Sequence, residues 1–143
     1  MRYWDTSAIV PLLLDERGTA LARAWLEEDP QIVTWALTRL EIVAVVERLA
    51  REGVISTADR RRLHAGFERF SAMWVEVTDI LATRSRAMAL LARQALHSAD
   101  AAQLGAAWLA SEGDPAALEF VCFDRALAAA AEREGFRVLT WSD

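Results

Sequence analysis

The sequence predicts an α/β protein built on a central, mostly parallel five-stranded sheet with helices on both faces. Strand-like and helix-like segments alternate almost throughout, and neither an internal repeat nor a low-complexity linker interrupts them. The 143 residues, 54% hydrophobic and 26% charged, are also enough for one substantial core. Residues 1–143 are therefore expected to form a single domain, with right-handed crossovers between the parallel strands.

The first strand is Arg2-Tyr3-Trp4, aromatic in content, and it runs into Asp5-Thr6-Ser7. Ala8, Ile9, Leu12 and Leu13 then recur at helical spacing, which places Asp5 at the carboxyl end of the strand, the edge where parallel sheets bind ligands. Gly18 to Glu28 is a second helix, stopped by Asp29-Pro30 because the residue before proline avoids the α region. Gln31 to Trp35 reads as a buried strand. Leu37 to Arg51 is helical through Leu40, Val43, Val46 and Leu49, and ends at Gly53. Ser56 begins the next helix, Thr57 to Phe70, with Leu63, Gly66, Phe67 and Phe70 on one face.

Trp74-Val75-Glu76-Val77 alternates with period two and is the third strand. Leu81 to Leu96 carries Ala87, Leu90, Leu91 and Ala95 at helical spacing, and Ser98 is placed to cap a helix from Asp100 to Ala110. After the turn at Gly113-Asp114-Pro115, Leu118 to Phe123 is a nearly continuous apolar strand. Arg125 to Glu134 is an alanine-rich helix ending at Gly135, and Phe136 to Leu139 is the fifth strand.

Composition removes several function classes. The single cysteine, Cys122, excludes an intrachain disulfide and a multi-cysteine metal site, and fits a reducing compartment, so a cytoplasmic location is expected. No apolar run approaches the roughly 18 residues of a membrane span, and the first residues do not read as a signal peptide. All 16 basic residues are arginine, which rules out P-loop and Schiff-base chemistry. A net charge of -5 means that any nucleic-acid contact must be local.

The informative feature is acidic. Asp5 and Asp124 end strands, while Glu41 and Asp100 lie in the first turns of helices expected to rise from the same sheet edge. Each acid has an ordinary explanation: Asp5 and Asp124 as helix N-caps, Glu41 as the partner of Thr38 in a capping box, and Asp100 as a favourable charge near a helix N-terminus. Together, however, four carboxylates converge on one cleft, and like charges at close range need a counter-cation. An all-oxygen site favours Mg2+ or Mn2+, and such sites hydrolyse phosphodiesters with metal-activated water.

These residues resemble the PIN-domain ribonucleases, most closely the VapC-type toxins of toxin–antitoxin pairs. The resemblance rests on Asp5-Thr6-Ser7-Ala8, Thr38-Arg39-Leu40-Glu41, Ser98 to Leu104, and Phe120 to Leu127 followed by Gly135 to Leu139. It implies a three-layer α/β/α sandwich and a metal-dependent endoribonuclease. Asp5, Glu41, Asp100 and Asp124 are then catalytic, with Asp5, Asp100 and Asp124 as metal ligands and Glu41 helping through water or a second ion. Thr6 is expected to orient Asp5 through its hydroxyl. The implied partners are an RNA substrate, a small cognate antitoxin that lays a helix into a groove, and a second copy in a homodimer. One position departs from the family pattern: Cys122 stands where Ser or Thr usually precedes the final aspartate by two.

The remaining candidates carry plainer readings. Trp4, Trp35 and Trp141 are expected to pack in the core rather than stack bases, His97 to end a helix, and His64 to lie at the surface. Arg39 and Arg125 adjoin acids and are placed either to hold RNA phosphates or to pair with those acids. The alternative from another class is a catalytically silent binding protein of the same fold, its acids serving only as caps. An aspartyl-phosphate phosphatase is disfavoured because Ser7 stands where its second aspartate is needed.

Overall fold

A computed structural model describes residues 1–142; Asp143, the last residue of the expected domain, lies outside them. The strands are β1 (Arg2–Trp4), β2 (Ile32–Trp35), β3 (Val75–Val77), β4 (Glu119–Val121) and β5 (Arg137–Leu139). The helices are α1 (Thr6–Leu13), α2 (Thr19–Glu28), α3 (Thr38–Arg51), α4 (Thr57–Ser71), α5 (Ile80–Leu91), α6 (Ser98–Ala110) and α7 (Arg125–Arg133). The sheet runs β3-β2-β1-β4-β5 and every pairing is parallel, so the expected "mostly parallel" sheet is wholly so.

Period-two alternation along the central strands divides the core into two. Tyr3, Val33, Trp35, Phe120 and Cys122 point to one face and pack with Leu90 of α5, Leu104 and Ala107 of α6, and Leu127 and Ala131 of α7. Trp4, Ile32, Val121 and Phe123 point to the other, with Ile9 of α1, Ala22 and Trp25 of α2, Ile42 of α3 and Phe67 of α4. This is the α/β/α sandwich. β1 sits between two neighbours and under both helical layers, so all three of its residues are buried. Tyr3 stacks on Phe120 with ring centroids 5.2 Å apart. Burial of each such large side chain contributes about 1.5–3 kcal/mol.

The amino end of β1 is held by charge. Arg2 is buried and donates to Glu119 at 2.5 Å, to Glu28 at 3.0 Å and to the Trp25 carbonyl at 2.6 Å, tying β1 to β4 and α2. α3 and α7 end where the sequence placed their stops, with Gly53 (φ 72°) and Gly135 (φ 98°) in the left-handed conformation after them.

Four local expectations are corrected. α5 stops at Leu91 rather than Leu96; Leu91 and Ala95 are exposed, and the chain turns so that the Gln94 side chain meets Arg133 and Glu134 instead. β4 is only Glu119–Val121: the Cys122 N–H still reaches the Leu139 carbonyl at 3.0 Å, but the Phe123 N–H goes to the Ser7 hydroxyl instead. Ser98 makes no cap bond and His97 is the N-cap of α6. The capping box proposed for Thr38 and Glu41 does not form: Leu37 is the N-cap of α3, and Thr38 is buried with its hydroxyl 2.8 Å from that of Thr34. A true capping box occurs at Ser56 and Asp59, at the start of α4.

Candidate active site

The topology selects one crevice. From β1 the chain builds outward through β2 to β3, then returns to the opposite side of β1 for β4 and β5, so the strand order reverses between β1 and β4. At such a switch point the connections leave toward opposite faces and open a crevice at the carboxyl ends of the strands. Asp5 follows β1 directly, its N–H still donating to the Val121 carbonyl at 3.0 Å, and Asp124 follows β4.

Asp5 is buried, with 4% of its surface exposed, and serves as the N-cap of α1. Its Oδ2 accepts the Ser7 N–H at 3.0 Å and the Ser7 hydroxyl at 2.5 Å, with the Cys122 thiol 3.7 Å away. Oδ1 receives no hydrogen bond from a described residue. Capping therefore uses one oxygen and leaves the other for a ligand, so the two readings of Asp5 are compatible. The hydroxyl that orients Asp5 is that of Ser7, not Thr6. The cap geometry brings the backbone and side chain of the second helical residue back to the carboxylate, whereas the first, Thr6, projects toward α3. Ser7 is itself fixed by accepting the Phe123 N–H at 2.9 Å.

Thr6 donates instead to Glu41 Oε2 at 2.7 Å, while Gln103 Nε2 stands 3.2 Å from Glu41 Oε1. Both oxygens of Glu41 are thus held in place. Asp100, on the first turn of α6, accepts no hydrogen bond from a described residue. Asp124 caps α7 with Oδ1, which accepts the Leu127 N–H at 2.8 Å, and its Oδ2 is likewise unbonded. The Cys122 thiol fills the position of the usual hydroxyl, 3.6 Å from Ser7 Oγ and 3.4 Å from the Asp124 carbonyl. Burial pushes this thiol far up, so it remains protonated and cannot serve as a thiolate ligand.

Asp5, Thr6, Ser7, Glu41, Asp100 and Asp124 line one cleft of about 400 Å³. Asp100 and Asp124 also line an adjoining cavity of about 410 Å³ with Leu96 and His97. The carboxylates repel one another across this space. Burial raises the Asp5 carboxyl to about 6, reinforced by Glu41 and Asp100 and opposed by the bonds from Ser7. Burial likewise raises Glu41, with Asp100 adding to it, and raises Asp100, with Asp124 adding to it.

Among the described residues no three His, Cys, Asp or Glu side chains form a group that would clasp one ion, so this is not a closed protein cage. Small hard cations such as Mg2+ do not need one, binding through one or two carboxylates with water and substrate completing the shell. The unbonded oxygens of Asp5, Asp100 and Asp124 fit that mode, and the raised proton affinity of Asp5, Glu41 and Asp100, set by burial first and by neighbouring anions second, is what a bound cation would offset.

The chain matches the PIN domain family over residues 2–121. The chain belongs to the PIN domain family. Asp5, Glu41 and Asp100 fall within the matched span, and Asp124 lies three residues beyond its end. PIN domains are commonly nucleases, and the acids of this PIN domain occupy the crevice that its sheet order creates. No curated protein sequence matches the chain.

Four residues of the site escaped sequence reasoning; one, Glu16, is exposed and lines the cleft from the loop between α1 and α2. Ser7 and Gln103 had no visible signal beyond their places inside the acidic motifs. Arg48 did have one: it is seven residues after Glu41 on α3, hence on the same helical face, and it lines the cleft, exposed and without an ion pair among the described residues. Arg39, in contrast, points away, donating to Glu76 at 2.6 Å and to Ser71 at 2.7 Å. Trp4 and Trp35 are core residues, and Trp141 stacks on Phe123 at 4.2 Å while donating to its carbonyl.

Proposed function

We propose that this PIN domain is a metal-dependent endoribonuclease and the VapC-type toxin of a toxin–antitoxin pair. The observation that carries the reading is the single cleft at the β1–β4 switch point, where the four expected carboxylates meet, with Glu16 and Arg48 also in the lining; none of the four is in an ion pair among the described residues, and three of them keep oxygens unbonded. A divalent cation, Mg2+ or Mn2+, supplies Lewis-acid activation of water and neutralises phosphate charge when bound. Asp5 Oδ1, Asp100 and Asp124 Oδ2 are the groups from which one or two at a time would hold it, with water and substrate completing the shell. Glu41, fixed by Thr6 and Gln103 and raised in proton affinity, is placed to accept a proton from the attacking water. Arg48 is placed to hold a phosphate of the RNA backbone beside the acids.

Partner binding is supported by apolar side chains left on the surface, Leu40 and Val54 on and after α3 and Met73 and Val75 at the sheet edge. We assign these to an antitoxin helix and to homodimer formation in the cytoplasm. No helix among the described residues is long and apolar enough to cross a membrane.

The test is cleavage of single-stranded RNA by purified protein with Mg2+ or Mn2+ and with chelator. Metal-dependent cleavage that stops with chelator is expected. Undiminished cleavage in chelator would overturn the metal role, and no cleavage under any condition would favour a silent binding protein. Growth arrest on expression, relieved by a small protein encoded beside it, checks the toxin assignment.

A further inference from the structure

Gln103 is 1% exposed, and its position is explained by polar partners rather than by packing. It lies one turn after Asp100 on α6, so the two share a helical face. The Tyr3 hydroxyl donates to its Oε1 at 2.6 Å. Its Nε2 is 3.0 Å from Thr6 Oγ1, 3.0 Å from Thr38 Oγ1 and 3.2 Å from Glu41 Oε1.

The proton inventory allows one arrangement. Thr34 donates to the Trp4 carbonyl at 2.7 Å, so Thr38 must donate to Thr34 and is left to accept from Gln103. Thr6 spends its proton on Glu41 and is also left to accept. A primary amide has two N–H donors and one acceptor oxygen. One N–H therefore goes to Thr38, and the other is shared by Thr6 and Glu41. A flipped amide would set its carbonyl oxygen against the Glu41 carboxylate. Tyr3, donating from beneath the sheet edge, holds the amide against that flip.

We propose that Tyr3 and Gln103 are positioning residues that orient Glu41 for the reaction; this rests on the nuclease reading above. The relay runs from the phenol of β1 through the α6 amide to the α3 carboxylate, and through Thr6 it fixes the second oxygen of Glu41. Neither Tyr3 nor Gln103 lines the cleft, so substrate contacts are untouched when the relay is cut.

The experiment compares wild type with Tyr3→Phe and Gln103→Met, using a single-stranded RNA oligonucleotide for kinetics and Mn2+ alone for binding. Phenylalanine keeps the ring stacked on Phe120 and removes only the hydroxyl. Loss of such outer partners lowers metal affinity or activity by about 10–100-fold. The expected result is a kcat lowered by that factor with KM unchanged and, because Glu41 would also reach the cation through water, a smaller Mn2+-induced rise in Tm without RNA. A purely structural role predicts a lower Tm with wild-type kcat and Mn2+ response in the folded protein, and that outcome overturns the proposal. If Gln103→Met does not fold, Tyr3→Phe decides alone. A wild type that neither binds Mn2+ nor cleaves removes the nuclease reading and this proposal together; an active wild type with an equally active Tyr3→Phe removes this proposal only.

Discussion

Replacing Asp5 by asparagine separates the charge of this side chain from its cap. Asn presents a carbonyl oxygen that can accept both Ser7 bonds now made to Oδ2, so the start of α1 survives. What disappears is a buried negative charge. The Asp5 carboxyl titrates at about 6 in the fold against 3.8 ordinarily, through burial first and the neighbouring acids second. An acid whose folded pKa is raised binds its proton in the native state and has lost it in the unfolded state between those two values. Wild-type stability therefore falls as pH rises from about 4 to about 6 and stays lowered above that. At ~1.4 kcal/mol per pH unit, the full cost is about 3 kcal/mol. Asparagine removes it, and because the Ser7 bonds to the charged form are already contained in the value of about 6, the gain is about 3 kcal/mol. At about 3 °C per kcal/mol for a chain of this length, metal-free Asp5→Asn melts about 9 °C above wild type at pH 7.5.

Glu41 and Asp100 also titrate high, but both proteins carry them, so the difference between the two melting curves isolates Asp5. The carboxylates held low by partners, Asp29, Glu47, Asp59 and Glu134, lose their contribution only as pH falls below the ordinary carboxylate range, outside this window. The assay is thermal melting by circular dichroism from pH 4 to 8 in chelator, with RNA cleavage measured in parallel. The gap should close at pH 4, and cleavage should be lost at every pH. A folded Asp5→Asn that melts below wild type at pH 7.5, or a gap independent of pH, refutes the electrostatic account of this site.

Arg48→Ala should raise KM for RNA while leaving kcat within about twofold, and should lower the salt dependence of binding by about one phosphate contact; an unchanged salt slope would take Arg48 out of the substrate path. Gly105→Ala tests the packing of α5 on α6, because an added Cβ would stand 3.0 Å from the Thr83 carbonyl oxygen and 3.2 Å from the Ala87 nitrogen. Overpacking of this kind costs about 1–3 kcal/mol, hence a Tm drop of about 3–10 °C. An unaltered Tm would show that the two helices separate freely at this point.

Local chemistry was enough to predict the alternation of elements, because hydrophobic period and turn residues act over a few positions. The strand run Arg2-Tyr3-Trp4, the stops at Gly53 and Gly135, and the caps at Asp5 and Asp124 all follow from such short-range rules. The four acids were legible as a group, since their places at strand ends and first helical turns put them on one edge of a parallel sheet. Hydroxyl and amide partners were not legible. Thr38 has the spacing of a cap to Glu41, yet burial beside Thr34 turns its hydroxyl inward and leaves Glu41 to Thr6 and Gln103. Asp5 has two hydroxyls beside it, and only the entry angle of α1 decides that Ser7 reaches it. Sequence alone determined that Asp5, Glu41, Asp100 and Asp124 face the crevice, because strand and helix ends are local events, whereas Glu16 and Arg48 reach it only through the packing of α1 and α3. Which neutral groups hold those charges was decided by tertiary structure, since Tyr3, Thr38 and Gln103 meet only after β1, α3 and α6 pack together.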